Sequence, residues 1–140
     1  QLECAMIAAY HALIGLTATI SPETAAQWAS LMYGISLDVF APMRPEYMVV
    51  IRFIGAFALT FGVMMAFAAW DPVKYRAVVA GAVIFFGVRI VDRIIGADLL
   101  ASAFQATSVE NFRYILLMAS FVVILGAFVA RPSLVDKGAT

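Results

Sequence analysis

Apolar residues run almost unbroken through four stretches of this chain, separated by short polar punctuation. The first covers residues 2–20 and is interrupted only by Glu3, His11 and two threonines. The second covers 46–70, with Arg52 as its one embedded charge, and the third and fourth cover 74–95 and 112–130. A helix of about 20 residues, rising about 1.5 Å per residue, crosses a hydrocarbon core of about 30 Å. Each stretch is therefore long enough to span a bilayer. A membrane barrel would show short segments of alternating polarity, which these runs do not. In lipid the backbone must satisfy its hydrogen bonds within each segment, and helices do so.

The punctuation supplies the ends. Ser21-Pro22-Glu23 places a capping serine, a first-turn proline and an acid at the positive end of a helix. That helix, over 22–33, carries Trp28, Leu31, Met32 and Tyr33 among alanines and polar residues, with Gly34 as its stop. It is too short and too mixed to span, and it suits the headgroup level. Pro42 and Pro45 precede the second span. Asp71-Pro72 repeats the cap-plus-proline device, so the third helix is expected to begin at once and to form an antiparallel hairpin with the second. Lys74, Tyr75 and Arg76 fall where this hairpin meets the headgroups. Gly96 ends the third helix, a polar stretch over 98–111 leads to the fourth, and Arg131-Pro132 closes it. The expected fold is all-α, one transmembrane domain of four spanning helices plus one short interfacial amphipathic helix.

Composition agrees. Of 140 residues 64% are apolar and 13% charged, against roughly 45–50% and 25% in ordinary soluble domains. So small a chain has too much surface to hide that apolar area from water. Nine basic and nine acidic residues cancel, so no global field draws the chain to nucleic acid. Cys4 is the single cysteine, so no internal disulfide forms. The acid at Glu3 replaces the small residue a lipoprotein cysteine needs before it, and a buried, inert thiol is expected. No basic region precedes the first apolar run, which is read as a span and not as a leader. Lys74, Arg76, Arg131 and Lys137 gather on the side of the two chain ends, which favours that side as cytoplasmic.

Charges inside spans cost about 2.5–3.5 kcal/mol each at the helix centre. Arg52, Arg89, Asp92 and Arg93 are therefore the most informative residues. Arg52 lies early in the second span; the other three lie late in the third, on one helix face. Antiparallel geometry puts all four at similar depth, on the side of Arg44, Glu46, Glu110 and Arg113. They form either a structural ion-pair cluster with snorkelling arginines, or a pocket gripping a lipid phosphate, a quinone carbonyl or an acidic substrate through arginine's fork of donors. His11, the only histidine, sits mid-span. It either hydrogen-bonds a neighbouring helix or serves as axial ligand to a haem or a magnesium-centred pigment. A second histidine on a haem would have to come from another subunit.

Helix association in lipid relies on close contact at small residues. Gly55, Gly62, Ala66 and Ala69, then Ala77, Gly81 and Gly87, then Ala119, Ser120 and Gly126 supply such positions. They serve packing within the bundle or docking of a partner. A phosphate loop, His-Glu-x-x-His, a cysteine pair, a nucleophile elbow and metal-ligand spacing are all missing from the sequence, so neither catalysis nor a bound metal ion is expected.

Arg52-Phe53-Ile54-Gly55-Ala56, then Gly62, Asp71-Pro72 and Gly87-Val88-Arg89-Ile90, form a pattern over about 47–126. It resembles the DoxX-like and BphX-like small four-helix bacterial membrane proteins, most of them without assigned activity. The resemblance implies a four-span fold in a bacterial inner membrane and singles out Arg52 and Arg89. The expected function is that of a non-catalytic accessory or structural subunit packed against a larger membrane complex, respiratory or photosynthetic, in contact with lipids and other subunits. One alternative is a lipid- or quinone-binding redox-accessory protein using the arginine cluster. Another is a haem- or pigment-ligating subunit using His11. Four helices without a broken span leave little room for alternating access, which argues against a transporter.

Overall fold

The computed structural model describes residues 1–33 and 44–131, so the expectations placed on Gly34, Pro42, Pro132 and Lys137 lie outside the described residues. These residues form six helices and no strand: α1 (Leu2–Ile20), α2 (Pro22–Tyr33), α3 (Pro45–Trp70), α4 (Arg76–Ile95), α5 (Ala97–Phe104) and α6 (Ser108–Ala130).

Three of them, α1, α3 and α6, are long and apolar enough to cross a membrane. The apolar pattern counts four, and by composition α4 falls short of the other three. It has 20 residues, but Arg76, Arg89, Asp92 and Arg93 leave every full span-length stretch of it with several charges. At a few kcal/mol each, those charges offset part of the apolar gain that the run of residues suggests.

Element ends follow local chemistry. Pro45 opens α3 in its first turn. The Asp71 carboxylate accepts the Lys74 backbone N–H at 3.0 Å, which holds a turn, so α4 starts at Arg76 and not at the proline. The stretch over 98–111 holds all of α5 but its first residue, and Gln105, in the left-handed region at φ 54°, ends the helix. α6 begins four residues before the apolar run suggests, because Thr107 and Glu110 form a reciprocal capping box. The Thr107 hydroxyl oxygen accepts the Glu110 N–H at 3.2 Å, and the Glu110 carboxylate accepts the Thr107 N–H at 3.0 Å.

The helices pack as two pairs. α1 lies closest to α3, and the seam is made by absent side chains. A Cβ on Gly15 would sit 2.7 Å from the Gly55 carbonyl oxygen and 2.7 Å from the Leu59 Cα. One on Gly62 would sit 2.6 Å from the Ala12 nitrogen. α4 pairs with α6. Between the pairs, larger side chains fill the gap: Ile7 from α1, Met65 from α3, Val79 and Phe86 from α4, and Met118 and Leu125 from α6. Cys4 is buried in this core as a free thiol. The small residues thus divide. Gly55 and Gly62 face α1, whereas Ala66 is exposed and a Cβ at Gly81, Gly87 or Gly126 would meet none of the described residues within 4 Å.

Candidate functional site

A set of polar and aromatic side chains meets where α1 passes α4 and α6. His11 is half-buried among rings from three helices. Its edge-on neighbours are Tyr10 at 5.0 Å, Phe61 at 4.8 Å, Phe86 at 6.1 Å and Phe85 at 6.3 Å. Its Nδ1 lies 2.8 Å from the Ile7 carbonyl oxygen. A carbonyl only accepts, so Nδ1 carries the proton, and in a neutral ring Nε2 keeps its lone pair.

One turn onward along α4, the Arg89 guanidinium lies 5.9 Å from the centre of the Phe85 ring. Arg93 is more firmly held. Its guanidinium stacks 4.3 Å from the Tyr114 ring centre and donates to the Asn111 Oδ1 at 3.0 Å. Asn111 returns the bond, its amide donating to the Arg93 carbonyl at 3.3 Å. The Tyr114 and Tyr10 hydroxyls meet at 3.3 Å, which ties this set to α1. Planar guanidinium over an aromatic face, with a side-chain amide at its edge, satisfies an arginine in low dielectric without a counter-charge.

Of the four charges singled out from the sequence, Arg89 and Asp92 lie within electrostatic reach of Arg93, and Arg52 does not join them. Arg52, Arg89 and Asp92 are exposed, and Arg52 makes none of the described contacts with the other three. Among the described residues no ion pair joins Asp92 to an arginine; the one ion pair links the N-terminal amine to Glu3 at 3.8 Å. The arrangement is therefore built on cation–aromatic and amide contacts. Among the described residues no group of three His, Cys, Asp or Glu side chains is placed to hold a metal ion.

Sequence position sets Arg76 at the headgroup level and does not reveal its partners at the end of α6. Its Nη2 donates to the Val129 carbonyl and, at 2.6 Å, to the Arg131 carbonyl, so it caps the end of α6. Reasoning from the sequence missed Asn111, Tyr10 and Tyr114. The available signal was their position: each is a polar or half-polar group inside or beside an apolar run, where it must find a partner on another helix. Comparison of the chain with protein-family models, curated proteins and solved structures finds no match.

Proposed function

We propose that this chain crosses the membrane four times and serves as a non-catalytic accessory subunit, docked through α4 to a larger membrane assembly of the respiratory or photosynthetic kind. The outward face of α4 carries the reading. Ala77, Gly81, Ile84 and Val88 follow one another at helical spacing and are all exposed. Glycine costs a helix about 1 kcal/mol relative to alanine, and among the described residues nothing lies within 4 Å of a Cβ at Gly81. Close approach of another helix backbone offsets that cost.

The fourth crossing is α4 itself. Arg76 and Arg93 stand 17 residues apart, about 25 Å along the axis, close to the core thickness of about 30 Å. Both have partners on α6, while Arg89 and Asp92 lie exposed toward the end, within snorkelling reach of headgroups. The proposal extends to kinship with the DoxX-like and BphX-like proteins, on the Arg52-to-Ile90 pattern, and to a cytoplasmic location for the side of Lys74, Arg76 and Arg131. Cysteines placed at Lys74 and at Leu99 test the crossing: a membrane-impermeant thiol reagent should label them from opposite faces. Docking is tested by photo-crosslinkers at Gly81 and Ile84 in native membranes, which should capture another protein. Adducts to lipid alone would refute it.

A second reading is favoured by the His11 tautomer. Metal-ligating histidines donate their other ring N–H to a carbonyl or carboxylate, and the Nδ1–Ile7 bond does this. His11 would then hold the metal of a haem or pigment shared with a partner. A visible absorption band in the purified assembly, lost in His11→Leu, is the expected result; a colourless assembly rules the reading out.

A further inference from the structure

Opposite the arginine and tyrosine cluster, where α3 ends, a groove of about 540 Å³ opens on the surface, within the range of about 300–1,000 Å³ that small-molecule sites occupy. Its floor is one face of α3: Val63, Ala66, Phe67 and Trp70. Tyr75 closes the side, its ring tilted against Phe67 at 5.7 Å. Asp71 and Lys74 stand at the head of the groove. Trp70 is 87% exposed, a ring at the depth where interfacial tryptophans anchor. Val63, seven residues earlier, lies about 10 Å deeper into the hydrocarbon.

The two charges are distinct and available. One Asp71 oxygen accepts the Lys74 backbone N–H at 3.0 Å. Among the described residues its other oxygen has no hydrogen-bond partner and no ion pair joins it to the Lys74 ammonium. That ammonium lies 5.4 Å from the Tyr75 ring centre. A cation and an anion side by side above an apolar trough match a zwitterion with one tail.

We propose that this groove is a binding site for a phospholipid with a primary-amine headgroup of the ethanolamine type. An acyl chain lies along Val63, Phe67 and Trp70, the phosphate meets Lys74, and the amine donates to Asp71. A choline headgroup carries no N–H to donate, and a purely anionic headgroup is repelled by Asp71. The inference rests on α3 crossing the bilayer and not on any partner subunit.

The full chain is taken from vesicles containing equal parts of ethanolamine, choline and glycerol phospholipids, transferred to mild detergent, and read for bound lipid by native mass spectrometry. Ethanolamine lipid should be retained above the other two. Lys74→Gln and Asp71→Asn should each lower that retention about threefold, as expected for losing one partly exposed ion pair. Lys74→Arg should keep it. Asparagine still accepts the Lys74 N–H, so the turn survives the Asp71 change. Equal retention of ethanolamine and choline lipids, preference for the glycerol lipid, or retention unchanged in both neutral variants would overturn the proposal. The measurement needs no partner, so its failure leaves the subunit reading where it stood.

Discussion

Gly15→Ala tests the α1–α3 seam with a single methyl group. The new Cβ would lie 2.7 Å from both the Gly55 carbonyl oxygen and the Leu59 Cα, where ordinary contact begins near 3.4 Å. The obstructing atoms belong to the α3 backbone, so no side-chain rotation relieves them, and the helices must separate by the better part of an ångström. A gap of about 0.5–1 Å forfeits a quarter to a half of each dispersion contact along the seam. Overpacking of this kind costs about 1–3 kcal/mol, and the higher helix propensity of alanine returns at most about 1 kcal/mol. A net loss of about 1–2 kcal/mol is expected, roughly tenfold in the unfolding equilibrium. Gly62→Ala should follow the same course, since its Cβ would meet the Ala12 nitrogen at 2.6 Å. Gly81→Ala, with open space, should be neutral or slightly stabilising in the isolated chain. Helical circular dichroism across a titration from mild detergent into dodecyl sulfate reads the three variants against the wild type. A Gly15→Ala protein as stable as Gly81→Ala would refute the close-packed seam.

Arg76→Gln should free the last carbonyls of α6 and cost about 1.5–3 kcal/mol, the value of hydrogen bonds to a charged donor; faster amide exchange confined to the end of α6 is the reading that checks it. Arg93→Met and Tyr114→Leu, made singly and together, should show a coupling of about 0.5–2 kcal/mol in the same dodecyl sulfate titration; strict additivity would remove the stacking assignment. Thr107→Ala should cost about 1 kcal/mol by removing one half of the capping box, seen as fraying of the first turn of α6 by hydrogen exchange. Thr107→Ser should restore the wild-type value, because it keeps the hydroxyl that accepts the Glu110 N–H.

Helix existence was legible because it depends on local facts. Pro22 after Ser21 and the apolar run over 2–20 mark α1 and α2 wherever the chain folds. Boundaries were less legible. The Asp71 side chain spends its capping on a turn, which delays α4 to Arg76, and Thr107 with Glu110 starts α6 within a stretch whose composition reads as loop. Small-residue positions were visible, but their direction was not. Gly62 and Gly81 look alike in the sequence, yet one lies against the α1 backbone and the other faces outward. Which face turns inward depends on the rotation of each helix about its axis, and that is decided by Gly15, Met65 and Phe86 together.

The embedded charges show how physical reasoning from depth alone falls short. Equal depth of Arg52 and Arg93 follows from antiparallel geometry, but depth fixes one coordinate of three. Arg52 points outward from α3, while Arg93 turns onto α6 and finds Tyr114 and Asn111. Arg76 does the same at the other end of α4, through Val129 and Arg131. The two arginines thus act as a pair of clasps that fix the register of α4 on α6. This gives the charges of α4 a role in packing. In the proposed fourth crossing, a guanidinium already bonded within the chain offsets part of its desolvation cost by packing against α6, so the α4–α6 pair would enter the bilayer more readily than α4 alone. Removing both clasps, as Arg76→Gln with Arg93→Gln, should therefore lower the charge of α4 yet weaken its hold on α6. Greater stability of that double variant in the dodecyl sulfate titration would contradict the clasp argument, because charge burial alone would then govern the helix.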